Sequence, residues 1–288
     1  MEPTRKVEKI WSSRPTLEGA GVHLNRAFGF PYMAQMDPFL LLDDFRSDDP
    51  GKYLKGFPWH PHRGIETITY VLAGDVEHGD SLGNSGVIGG GDVQWMTAGS
   101  GIIHQEMPMG DERGRMHGFQ LWANLPSSEK MSDPRYRGLT DADIPQVTTE
   151  NGACVRVICG EVEGVRGPVE GIVVDPEYLD VTVPPGERFT HPTAPDHTLI
   201  AYAIAGEAEF APGARGSDGT CVLFGEGDEV EVRAGGAGAR FLLLSGRPLR
   251  EPIAWRGPIV MNTAEELRTA FREYSEGTFV KVGAARPR

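Results

Sequence analysis

Ile68-Thr69-Tyr70-Val71-Leu72-Ala73-Gly74-Asp75 sets the fold, because a second such stretch, Ile200-Ala201-Tyr202-Ala203-Ile204-Ala205-Gly206-Glu207, follows in the other half of the chain. Each is a run of β-branched, aromatic and small apolar residues that stops at a glycine, the composition of a strand entering a turn. Downstream of each copy a Gly-Asp turn, Gly91-Asp92 and then Gly227-Asp228, leads into another strand-like segment. Two copies of one all-β unit account for the pattern, and short, regularly punctuated strands predict barrels or sandwiches. The 38 glycines and 22 prolines among 288 residues agree, favouring turns over long helices.

Between the copies, Pro126 to Pro145 is polar and turn-rich, which predicts two domains, residues 1–138 and 139–288. One helix is expected near 263–275: Asn262 and Thr263 precede Glu265 and Glu266 at capping-box spacing, and Leu267, Ala270, Phe271 and Tyr274 form an apolar stripe. That helix is read as a packing element without chemistry. Residues 213–219 and 234–239 read as hairpin loops.

With 28 basic against 41 acidic residues the net charge is −13, which argues against direct contact with nucleic acid. Cys154, Cys159 and Cys221 are too few for a disulfide framework. The amino-terminal segment lacks an apolar export core and no run reaches membrane-spanning length, so the expectation is a soluble, cytoplasmic protein with no membrane partner.

The chemistry lies in His60-Pro61-His62 and His104-Gln105-Glu106. Residues two apart in a strand share a face, so each segment sends two metal-competent groups into one interior. Three imidazoles and a carboxylate leave positions open on a metal, which suits iron, manganese, nickel or copper better than closed structural zinc. Alone, either pair is what unrelated surface residues look like; together they make a site. Pro61 removes a ladder donor and places its segment at a strand start or bulge. Glu66 lies on the alternation of His60 and His62 and competes with Glu106 for the carboxylate role; otherwise it could orient an imidazole. His117 opens a strand-like segment and reads as a pocket wall, a neighbour of the ligands or, more simply, a core histidine. His23, His78, His191 and His197 sit among polar or turn-like neighbours and read as solvated. Phe57, Trp95 and Phe119 are candidates to line an aromatic-binding cavity. In the second copy, the positions of His60, His62, His104 and Glu106 fall on Pro192, Ala194, Arg240 and Leu242, so only the first domain is expected to hold metal. P-loop, dinucleotide and serine-nucleophile signatures are absent.

These residues resemble those of the pirin family of the cupin superfamily. The resemblance runs through 39–45 (Phe-Leu-Leu-Leu-Asp-Asp-Phe), 60–67 with its His-Pro-His-Arg-Gly core, 91–99, 101–108, 121–131, 225–228 and 257–263, almost the full chain. It implies two stacked cupin barrels with iron held in the first by His60, His62, His104 and Glu106. The general cupin pattern would make Glu66 a ligand; the pirin pattern assigns Glu106. Iron(II) is the family's metal, and the same donor set accepts manganese, cobalt, nickel or copper. Two kinds of activity go with such proteins. Some resemble quercetin 2,3-dioxygenases, which open the central ring of flavonols with O₂ and release carbon monoxide; Glu106 would then be the catalytic base. Others are metal- or redox-responsive regulators that bind a transcription factor or a metabolic enzyme. The expectation is a monomeric oxygenase, with the regulator as its alternative.

Overall fold

The computed structural model describes residues 4–30 and 33–282, and the strands among them pair antiparallel. The chain is all-β, with two cupin domains and one carboxy-terminal helix of more than one turn. Among the described residues no helix is long and apolar enough to cross a membrane. None of the three cysteines is in a disulfide.

Both copies of the repeat become central strands. Ile65–Ala73 lies between Val93–Thr97 and His117–Asn124 in a seven-stranded sheet that continues through Phe39–Asp44. Thr198–Ala211 lies between Thr220–Phe224 and Glu229–Gly246 in the nine-stranded sheet of the other unit. The Gly-Asp turns sit where they were expected, immediately before Val93–Thr97 and Glu229–Gly246.

A second, four-stranded sheet completes the first domain, in the order Phe57–His62, Ile102–Pro108, Val76–Asp80, Ser85–Ile88. Phe57–His62 is an edge strand, where Pro61 leaves no ladder bond unmade, and its pairing with Ile102–Pro108 slips between His104 and Glu106. In the other domain a continuous apolar cluster that includes Phe189, Phe210, Phe224, Phe241 and Leu243 fills the interior.

Two expectations about organisation need correction. A single cut at 138 does not describe the units. One comprises Met1–Arg14, Ala27–Pro38 and Ala142–Pro248; the other comprises Pro15–Arg26, Phe39–Asp141 and Leu249–Arg288. Local composition shows the linker near 141 but not the return of the final segment, which is settled by long-range packing. The stretches 213–219 and 234–239 are not plain loops either: Ala214–Ser217 is a strand paired with Thr198–Ala211, and 234–239 continues the strand Glu229–Gly246, pairing with Thr198–Ala211 through a register shift. The glycines of 234–239 bend that strand without ending it.

The helix Ala264–Glu276 forms as its sequence directs. Thr263 accepts from the Glu266 amide and the Glu266 carboxylate bonds back to Thr263, closing the capping box. Its apolar stripe packs Leu267, Ala270 and Phe271 against Ile259, Met261 and Phe279.

Candidate metal centre

His60, His62 and His104 meet at one point. Their nearest ring nitrogens all lie within 4.8 Å of one another, and this is the one such group of ligand atoms among the described residues. Register explains the meeting: His60 is the direct cross-strand partner of His104, and His62 follows His60 on the same face. The ring centroids are 4.3 Å (His60–His104), 4.8 Å (His60–His62) and 5.0 Å (His62–His104) apart.

The hydrogen bonds of these rings fix their tautomers. His60 Nδ1 lies 2.9 Å from the Pro58 carbonyl and His62 Nδ1 lies 3.0 Å from the Pro258 carbonyl. A carbonyl only accepts, so both Nδ1 atoms carry the proton and both Nε2 atoms present lone pairs. Those two lone pairs face each other at 3.0 Å, a repulsive arrangement unless a cation lies between them. Bonds of about 2.1 Å to neighbouring corners of an octahedron span about 3 Å, so the spacing suits a shared ion. Both nitrogens of the fully buried His104 lack a hydrogen-bond partner. Burial lowers the pKa of His60 and holds His62 and His104 well below the usual imidazole value, keeping the rings neutral and able to ligate. The residues present fit a divalent metal.

Glu106 is on the strand of His104 but stands outside that group of ligand atoms. Its buried carboxylate is hydrogen-bonded to Thr69 Oγ1, which also lies 3.0 Å from Gln120 Oε1. A hydroxyl has one proton, so Thr69 donates to one of these two oxygens at a time. Burial raises the Glu106 pKa, with the Thr69 bond opposing the shift. Gln120 Nε2 in turn donates to Thr67 Oγ1 (2.7 Å) and the Ile68 carbonyl (3.2 Å).

These contacts show which face of the large sheet looks toward the centre. Thr67, Thr69, Gln94, Met96, Gln120 and Trp122 share it by register. Glu66, Ile68 and Tyr70, with their partners Trp95, Thr97, Phe119 and Leu121, occupy the opposite face. Trp95 and Phe119, expected in the pocket, therefore point away from the imidazoles. Glu66 is on their side too: it accepts from Trp95 Nε1 (3.0 Å) and Thr97 Oγ1 (2.9 Å), so the expected role of orienting an imidazole is not what its bonds show. His117 packs on Phe119 (5.1 Å) with Nε2 3.6 Å from Asp44, likewise on that side. Phe57 is half-buried opposite Glu106 and packs edge-on against Phe45.

The aromatic neighbours of the centre are instead Trp122, edge-on to His62 at 5.0 Å, and Tyr136, stacked on His78 at 5.2 Å and 19°. His78 is not solvated as expected: it is buried, with its ring 5.8 Å from His104. Its polar neighbours mislead because they build a turn, Asp80 accepting from the amides of Leu82 and Asn84. Alternation along 117–124 could have flagged Gln120 and Trp122 once Phe119 was known to face away. In the other domain His191 is also buried, 3.2 Å from Glu177 and stacked on Phe189.

Comparison with known proteins places this geometry in context. Residues 21–123 match the sequence model of the Pirin family, and residues 178–280 match that of the Pirin C-terminal cupin domain. The chain is 46% identical to a pirin-like protein of Caulobacter vibrioides over 278 residues, covering 96% of this chain and 100% of the relative. It is 41% identical to human pirin over 280 residues, covering 95% and 93% of the two chains. It also resembles the crystal structure of a quercetin 2,3-dioxygenase from Acinetobacter baumannii, with TM-score 0.88, 33% identity, and coverage of 96% and 99%.

Proposed function

Because the chain belongs to the pirin family of bicupins, we propose that it is a metal-dependent oxygenase of the quercetin 2,3-dioxygenase type, acting on flavonols with O₂. The observation that carries this reading is the pair of Nε2 lone pairs facing each other at 3.0 Å beside the unpartnered nitrogens of His104. His60, His62 and His104 would hold a divalent metal, iron(II) by family expectation, with Glu106 as the carboxylate that joins or leaves them. When bound, the metal supplies a Lewis acid and a one-electron partner for O₂, lowering the pKa of a bound hydroxyl.

The chain's own residues supply the rest. Burial makes Glu106 a stronger base than an ordinary carboxylate, suited to take the flavonol hydroxyl proton at Oε1. Thr69 Oγ1 donates to that oxygen and holds it in place. The carbonyls of Pro58 and Pro258 keep the imidazole lone pairs aimed inward before anything binds, so little reorganisation is needed. Trp122 and Tyr136 offer flat apolar faces for an aromatic substrate.

The test is anaerobic loading with iron(II), followed by quercetin and O₂. The expected result is about one metal per chain and quercetin loss proportional to it. His62→Ala should lose metal affinity by at least tenfold, on the order seen when even supporting groups of metal sites are removed. Undiminished loading in His62→Ala would end the metal-centre reading. Full loading without metal-dependent quercetin loss would favour the regulator that binds a protein partner.

A further inference from the structure

Near the imidazoles, two buried side chains hold polar atoms without a hydrogen bond of ordinary geometry. Gln94 and His78 are 1% and 2% exposed. Gln94 Oε1 and Nε2 lack a hydrogen bond of ordinary geometry, with only the Tyr136 hydroxyl brought near them. His78 Nδ1 is likewise unmet, and His78 Nε2 has only a long 3.5 Å approach to Asp80. Buried amides and imidazoles in native proteins are almost always satisfied, and an unmet one costs stability.

Their placement is that of a binding surface. His78 is the cross-strand partner of Glu106 in the small sheet, and Gln94 is the partner of Thr69 in the large one. His78 thus lies beside Glu106, with its ring 5.8 Å from His104, and Gln94 shares the sheet face of Thr69 and Gln120. Half-buried Trp122 and Tyr136 pack with Leu82 on one apolar cluster, Trp122 edge-on to His62 and Tyr136 stacked on His78.

We propose that Gln94 and His78 form a ligand subsite beside the histidine group, taking the adjacent oxygens of a planar ring, as in a catechol or a hydroxy-ketone. The imidazole and the amide between them offer both donors and acceptors. A hydroxyl beside a second oxygen matches that set, whereas a hydrocarbon or a simple cation does not. The rings of Trp122 and Tyr136 select for flatness. The inference rests on the reading of the histidine group as a metal centre that receives substrate, and names what holds the substrate's far edge.

The experiment is calorimetric titration of quercetin and, separately, 4-nitrocatechol into iron(II)-loaded protein under anaerobic conditions, for wild type, Gln94→Leu and His78→Phe. Both variants should keep their metal and melt no lower than wild type, yet bind the probes roughly tenfold or more weakly, because polar groups built to meet a hydroxyl discriminate strongly. Unchanged affinity at any midpoint would mean that these atoms meet no ligand, overturning the subsite. Loss of metal in both variants would overturn it as well, assigning them a structural role. Nitrocatechol binding that depends on Gln94 and His78, with no binding of quercetin, would support the subsite and sink the flavonol reading. Failure of wild type to bind either probe would overturn the subsite.

Discussion

Glu66 shows what a single residue costs when a sheet face buries it. Its carboxylate accepts from Trp95 and Thr97, yet burial outweighs those bonds and raises its pKa from 4.5 to about 7. A carboxylic acid whose folded pKa exceeds its unfolded one binds its proton more tightly in the native state. Its contribution to stability is therefore complete below about 4.5 and is lost as pH rises through about 7. At ~1.4 kcal/mol per unit, the loss is about 3 kcal/mol. Glu66→Gln keeps an acceptor oxygen and removes the titration. Urea midpoints measured from pH 4.5 to 8 should fall for wild type relative to Glu66→Gln, and parallel curves would show that the carboxyl titrates normally. Glu106 is under the same burial, with the Thr69 hydroxyl donating to its carboxylate.

Between residues and domains, the turn at Gly64 does most to aim the centre. It links the Phe57–His62 strand to Ile65–Ala73 with φ at +79°, and a Cβ there would lie 2.0 Å from the Val260 carbonyl oxygen. The Gly64 carbonyl also accepts from Lys130 Nζ at 2.8 Å. Gly64→Ala adds left-handed strain to a backbone clash and should cost about 2–4 kcal/mol. Because His62 is two residues away, metal affinity should fall with it; calorimetric melting and metal titration check both effects. An unchanged midpoint would mean that the Val260 strand moves aside freely. The same elements show what a sequence displays and what it conceals. The two histidine pairs were legible because spacing alone puts residues two apart on one face, and the helix because its capping box is local. Trp95 and Phe119 were misjudged because facing is set by register with partner strands, and one step of parity reverses it. Tyr136 was passed over because it belongs to a short strand from the polar linker, and only pairing with Val93–Thr97 brings it to His78.

Over the whole molecule, the decisive feature is that the final segment belongs to the histidine-bearing unit. Pro258 supplies the carbonyl that orients His62, a contact between residues 196 positions apart. Val260 donates its amide to the Arg63 carbonyl and accepts from Lys130 Nζ at 3.0 Å. The buried Arg63 guanidinium reaches the Phe279 carbonyl at 3.0 Å and Glu273 at 2.8 Å, and lies over the Phe279 ring. Its Nε donates at 2.7 Å to the Ser100 carbonyl, just before the strand of His104 and Glu106. One cation thus braces both histidine strands against the tail. A chain ending at Pro248 would strip these partners from Arg63 and Lys130, and breaking a buried ionic contact costs roughly 3–5 kcal/mol. The expected outcome is loss of metal binding together with rapid amide exchange in 57–62 and 102–108, while strands in 177–246 stay protected because their partners all lie before residue 249. Stoichiometric metal and unchanged exchange in the shortened chain would show that the imidazoles need no help from the tail, and that the Pro258 carbonyl follows His62 instead of directing it.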